Sequence, residues 1–209
     1  GLCCPSGLSG RCWQTTARPI GMAYGSLPMT AAAMLPLSLI LMRHAKSDWN
    51  DPLASDHDRV LNERGRASAP AMGRWLAAKD ALPDQVLVSS AARTRETLAR
   101  LGLPETPTKV LPGLYLAQPE RIIALIRAEA SGRRVLVLGH NSGISEAAAA
   151  LVATRPKHRG FLEFPTCATL ISDVSAPRWS ALGEGMLTPC HFAVPREVLA
   201  AEAALQGKN

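Results

Sequence analysis

Three short apolar runs constrain this chain more than any other feature: Leu37-Ser38-Leu39-Ile40-Leu41-Met42, Gln85-Val86-Leu87-Val88 and Arg134-Val135-Leu136-Val137-Leu138. Each is nearly continuous rather than alternating, as in a strand buried on both faces. Segments of helical period separate them. Asn62 reads as an N-cap with Glu63 in the first turn, and Ala67, Ala71, Met72, Trp75, Leu76 and Ala78 follow at helical spacing until about Asp80, before Pro83. A second helix starts directly after Ser89-Ser90 and runs through Arg93, Thr97 and Leu98; Ser90 itself reads as its cap. Further helices are expected over about Pro119 to Ala130 and Ile144 to Val152, with a short strand at Lys109-Val110-Leu111. Cys167 to Ser172 and Arg178 to Leu182 read as closing strands at an antiparallel edge. Strands alternating with helices predict an α/β fold of three layers, α/β/α, whose central sheet is mostly parallel with an antiparallel edge strand.

The 209 residues suit one such domain with some surplus at an end, and the 47% hydrophobic content supplies its core. With three Phe, four Trp and two Tyr, that core falls to Leu, Val, Ile and Ala. A net charge of +6 points to anionic partners, but it is spread along the chain and forms no Lys/Arg block, which argues against nucleic acid. The five cysteines form no CxxC pair and no zinc spacing, so a reducing, cytoplasmic compartment is the default; Cys167 and Cys190 read as small buried residues. No run of eighteen apolar residues exists, and no membrane span is expected.

Residues 1–36 show no helical or strand period, and the first acidic residue is Asp48. They read as an N-terminal extension, poorly structured or non-native, with Met29 or Met34 as a natural start. Arg11 and Arg18 are too few for a transit peptide, and Ser6 is one position late for the usual myristoylation pattern behind Gly1. The apolar stretch Met34–Met42 runs straight into Arg43 and His44, so signal cleavage there would destroy the candidate site. The domain itself is expected over 37–195, and a helical C-terminal tail over 196–209.

Arg43-His44 and Gly139-His140 each close an apolar strand, and Arg93 lies one helical turn past the end of a third. In open α/β sheets ligands bind outside the carboxyl ends of the strands, so three separate segments aim two His and two Arg at one edge. Singly, each residue has an ordinary structural explanation, such as an ion pair of Arg93 with Glu96; jointly they call for a common ligand. Guanidinium forks match phosphoryl oxygens and stay charged at any relevant pH. A neutral imidazole is a nucleophile once its other ring nitrogen is fixed; a main-chain carbonyl could do so, and the sequence does not say which. The helix starts after Ser90 and near Asn141 could add backbone donors. His57, His158 and His191 lack a partner pattern and read as surface or packing residues, and no Gly-rich nucleotide loop is present.

Several motifs in order resemble the histidine phosphatase superfamily, with its phosphoglycerate mutase-like fold, and within it the small SixA-like phosphohistidine phosphatases. They are Leu41-Met42-Arg43-His44-Ala45-Lys46-Ser47-Asp48-Trp49, Asp56-His57-Asp58-Arg59-Val60-Leu61-Asn62-Glu63-Arg64-Gly65, Val88-Ser89-Ser90-Ala91-Ala92-Arg93-Thr94-Arg95-Glu96-Thr97, Leu114-Tyr115-Leu116, Val137-Leu138-Gly139-His140-Asn141 and Phe164-Pro165-Thr166-Cys167-Ala168. The likeness covers about residues 37–185. It implies that His44 is the nucleophile, that Arg43 and Arg93 are phosphate ligands, and that His140 donates to the phosphoryl group. Asn62 to Gly65 would be supporting structure, and no metal or other cofactor would take part. Two departures stand out. The usual RHG is Arg43-His44-Ala45, and Pro112-Gly113-Leu114-Tyr115 lacks the acid that phosphomonoesterases of the superfamily place there. An alkoxide leaving group needs a proton donor and a phosphoramidate nitrogen leaves more easily, which favours phosphohistidine on a protein as substrate. Asp48, Asp56 and Glu120 are the candidate substitutes for the missing acid. A phosphomonoesterase of small phosphate esters and a non-catalytic phosphate-binding module are the alternatives.

Overall fold

A computed structural model of the chain describes residues 36–207. Apart from Pro36, the expected extension over 1–36 lies outside them. The elements, in chain order, are β1 (Leu37–Arg43), α1 (Glu63–Ala78), β2 (Gln85–Ser89), α2 (Ala92–Leu101), β3 (Thr108–Leu111), α3 (Pro119–Glu129), β4 (Arg134–Gly139), α4 (Gly143–Leu151), β5 (Thr169–Val174), β6 (Leu187–Ala193) and α5 (Pro195–Gln206). One-turn 3-10 helices occupy Pro112–Leu114 and Trp179–Ala181. No helix among the described residues is long and apolar enough to cross a membrane.

The strands form one sheet in the order β3-β2-β4-β1-β5-β6. β1, β2, β3 and β4 are mutually parallel, while β5 runs antiparallel to both β1 and β6. Successive residues of a strand face opposite sides, so the continuous apolar runs feed two cores at once. Leu39, Leu41, Val135 and Val137 pack on the side of α3 and α4 with Phe161, Phe164 and Trp179. Ile40, Met42, Leu136 and Leu138 pack on the other side with Met72 and Leu76 of α1, Leu101 of α2 and Val198 of α5.

Asn62 caps α1 as expected, its side-chain oxygen accepting from the Gly65 N–H at 2.9 Å. Glycine is required at Gly65 because a Cβ would stand 2.2 Å from the Lys46 carbonyl oxygen. That close approach draws the start of α1 against the segment leaving β1, where Asn62 N–H also donates to Lys46 O at 3.0 Å. α5 lies against α1, joined by Arg74 and Glu202 through two hydrogen bonds of 2.8 Å.

Two expectations are corrected. Arg178 to Leu182 is no strand: Trp179 turns inward as part of a 3-10 helix, and its Nε1 donates to Gly132 O at 2.7 Å. The edge strand is β6, whose Pro189 lies beside an irregularity in the β5–β6 register, the place where a sheet tolerates proline. Cys190, also on β6, is exposed rather than buried; Cys167 is buried.

Candidate active site

Strand register builds the site. Arg43 on β1 pairs with Gly139 on β4, and the His44 N–H donates to Gly139 O at 3.0 Å. The next residue on each strand is a histidine, so His44 and His140 emerge side by side, ring centroids 5.2 Å apart. β2 flanks β4 with Val88 opposite Leu138. This places Ser89 where its hydroxyl meets His140 Nε2 at 2.8 Å. Arg93, on the first turn of α2 beyond that strand, closes the group. All four residues singled out from the sequence, Arg43, His44, Arg93 and His140, line one cavity of about 220 Å³.

His44 is 8% exposed, and its Nδ1 lies 2.7 Å from the Ala45 carbonyl oxygen. A carbonyl only accepts, so Nδ1 carries the proton and Nε2 is left with a free lone pair. Burial, and then the charges of Arg93, Arg43 and Arg59, push the imidazole down to about 4, against the Ala45 hydrogen bond. The ring is therefore neutral at pH 7. Thr97 supports this turn: its hydroxyl accepts from the Ala45 N–H at 3.0 Å and donates to Arg93 O at 2.6 Å. Burial, followed by the charges of His44 and Arg93, pushes His140 down to about 3.

Arg93 is 2% exposed and pairs with Asp56 instead of Glu96, which belongs to Arg66 and Arg100. It donates to the Asp56 main-chain carbonyl and, at 3.0 Å, to the Asp56 carboxylate. The same carboxylate accepts from the Tyr115 hydroxyl at 2.6 Å and from Arg59. The Tyr115 hydroxyl, then Arg93 and Arg59, hold the Asp56 carboxyl below the usual carboxylate range, against partial burial; Tyr115 is raised in turn by its bond to Asp56. Arg43 donates to Phe164 O at 3.1 Å, and its guanidinium is lowered by burial and by Arg93. A guanidinium keeps its charge through such shifts.

The Nε atoms of Arg43, Arg59 and Arg93 and the Nδ1 of His140 are all buried without a protein partner, and all four residues line the cavity. Buried donors are almost always satisfied, so such a group around one hollow is suited to an anion. Lys46 lines the same cavity, and positive charge there outweighs the single carboxylate, Asp56. No cluster of three or more His, Cys, Asp or Glu placed to hold a metal ion occurs among the described residues.

Of the three carboxylates considered as acids, only Asp56 lines the cavity; Asp48 and Glu120 do not. Ser90 does not cap α2: the cap residue is Ala91, and the Ser90 hydroxyl bonds His57 Nε2 at 2.9 Å. The first N–H of α2, that of Ala92, is already taken by His57 O at 2.9 Å, so it is not free for an anion. His57 thus has partners, its ring also meeting Tyr115 edge-on at 4.9 Å. Ser89, Arg59 and Tyr115 join the site without having been among its expected residues. Arg59 stacks under Trp49, its guanidinium carbon 3.4 Å from the ring centroid. Its place in the Asp56–Gly65 motif is the signal that the sequence offers for it.

The profile of the histidine phosphatase superfamily (branch 1) matches residues 39–115. An uncharacterized protein of Mycobacterium tuberculosis is 36% identical over 161 residues, covering 74% of this chain and all of that protein. Two solved structures assigned as the phosphohistidine phosphatase SixA share the fold. That from Nakamurella multipartitia has a TM-score of 0.65 at 28% identity, covering 76% of this chain and 96% of its own. That from Agrobacterium tumefaciens has 0.63 at 27%, covering 77% and 99%. The family profile over residues 39–115, a match to the whole length of a 36% identical relative and a fold shared with two SixA structures place this chain in the histidine phosphatase superfamily as a phosphatase.

Proposed function

We propose that the protein hydrolyses phosphohistidine carried on other proteins, with His44 as the covalent nucleophile. The Nε2 lone pair of His44 attacks phosphorus in line while Arg43 and Arg93 hold the equatorial oxygens. The Ser89 hydroxyl, donating to Nε2 of His140, leaves the Nδ1–H of that ring to donate to the phosphoryl group. The P–N bond of the substrate breaks as the new P–Nε2 bond forms. Water then attacks the phosphohistidine at position 44, the P–Nε2 bond breaks, and phosphate leaves with the oxygen and protons of the water.

The observation that carries the choice of substrate is the state of Asp56. Among the described residues it is the one carboxylate lining the cavity, and Tyr115, Arg93 and Arg59 keep it ionised. An ionised carboxylate cannot protonate an alkoxide. A substrate imidazole that has taken a proton from solvent on its second nitrogen leaves as a neutral molecule and needs no such help. The test compares kcat/KM for a histidine-phosphorylated protein with that for sugar phosphates and nucleoside monophosphates in one buffer. The phosphohistidine substrate should be preferred by about a hundredfold or more, and an acid-labile phosphoenzyme should be trapped in the wild type but not in His44→Ala. A preference for the phosphate esters would overturn the substrate; turnover by His44→Ala would overturn the covalent route.

A further inference from the structure

We infer that a basic groove beside the phosphate cavity docks an acidic stretch of the polypeptide that carries the phosphohistidine, an assignment that rests on the function proposed above. The groove has a volume of about 610 Å³ and is walled by the start of α1, the segment 158–166 and the start of α5. Thr166 belongs to its wall and to that of the phosphate cavity, so the two hollows lie side by side.

Arg64, Arg159 and Arg196 line this groove, all exposed. None of the three makes an ion pair among the described residues, whereas Arg66, Arg74 and Arg100 on the same helical layer each hold a carboxylate. Two glutamates line the groove, and one of them, Glu197, is held by His158 at 2.9 Å. Three guanidinium groups therefore face a single uncommitted carboxylate, Glu163. Arg64 and Arg196 also occupy the second positions of α1 and α5, where the helix dipole disfavours a cation. Carboxylates brought in by a partner would offset both costs.

The size and lining select the class of partner. A hollow of this volume takes several side chains, not one further phosphoryl group. Val194, Pro195, Pro165 and Leu199 give it an apolar floor, suited to the stems of a polypeptide. Among the described residues no Phe, Tyr or Trp lines it, which leaves it without the stacking platforms on which nucleic-acid bases settle.

The experiment uses two peptides matched in length and phosphorylated on a central histidine, one flanked by glutamates and one by lysines. The wild type should prefer the glutamate-flanked peptide by about tenfold in kcat/KM, mainly through KM, as three exposed ion pairs allow. In a variant carrying Arg64→Glu, Arg159→Glu and Arg196→Glu the preference should vanish or reverse, with hydrolysis of free phosphoramidate unchanged. If both peptides are cleaved without preference, or the preference survives in the variant, the docking assignment fails while the proposed hydrolysis stands. If neither peptide is cleaved and sugar phosphates are, the proposed function fails and takes the groove assignment with it. Loss of short-RNA binding in the variant, with both peptide KM values unchanged, would assign the groove to another polyanion and overturn the proposal.

Discussion

The cavity proposed to hold phosphate and the groove beside it both present arginines, yet they are built in opposite ways. In the cavity Arg93 is 2% exposed and pinned by both the carboxylate and the main chain of Asp56, and its Nε is still left without a partner. In the groove Arg64, Arg159 and Arg196 are exposed and reach no carboxylate among the described residues. Burying a charge is costly unless its donors are met, so a side chain held like Arg93 is fixed in geometry before any ligand arrives. An exposed arginine is free to adapt and contributes little per contact. The cavity is thus suited to a transition state, and the groove to selecting what is brought to it.

The largest effect expected from this contrast is that of Arg93→Ala. Removing a preorganised donor aimed at developing charge typically costs about a hundred- to a thousandfold in kcat. Loss of the same size from Arg196→Ala on a small phosphoramidate would erase the distinction between the two regions. Steady-state kinetics on both variants, with circular dichroism as a check on folding, decides the point.

Buried neutral imidazoles make a second, smaller prediction. His44 is pushed from 6.5 to about 4 and His140 to about 3, in each case first by burial. Between pH 6.5 and these values the unfolded chain binds protons that the folded chain refuses. Their contribution to stability is therefore complete above pH 6.5 and falls as pH drops through the window. At pH 5 the loss is at most about 2 kcal/mol per ring, in a range above most carboxylate titrations. Urea unfolding at pH 7.5 and pH 5 should show the drop, and His140→Gln should remove about half of it. Equal stability at the two pH values would mean that the rings are not held neutral by the fold.

The contrast also explains what could be read from the sequence. The apolar runs of β1, β2 and β4 exist because both sheet faces are covered, and a residue that ends such a run must lie at the sheet edge. That made Arg43, His44 and His140 legible, and Arg93 by its distance from Ser89. β6 was hidden because Leu187-Thr188-Pro189-Cys190-His191-Phe192-Ala193 is an edge strand with proline and little apolar alternation. Arg178 to Leu182 misled because Trp179 and Leu182 are buried without pairing to any strand. Asp56 and Arg59 are brought over Arg93 by a loop closed at its base by the Ser47–Leu61 bridge and by the Asp48 N–H on Val60 O at 2.8 Å. Those contacts join residues by tertiary register, and no local pattern records them. Ser89 and Ser90 differ by one position, and therefore by one face: the first serves His140, the second His57.

The smallest effect is expected inside the cavity itself, where Asp56 neutralises Arg93 and Arg59 at once. Its side chain is 45% exposed, so screening limits what its charge is worth. Asp56→Asn keeps an oxygen to accept from Tyr115 and Arg93 but withdraws the anion that competes with phosphate for both guanidinium groups. Inhibition by inorganic phosphate should tighten by about threefold, with kcat on a phosphohistidine substrate falling by no more. Were Asp56 instead the acid for an ester leaving group, the same variant would lose most of its turnover on sugar phosphates and gain no affinity for phosphate. The inhibition constant and kcat, measured together on one preparation, therefore separate an ionised carboxylate that orders arginines from one that delivers a proton.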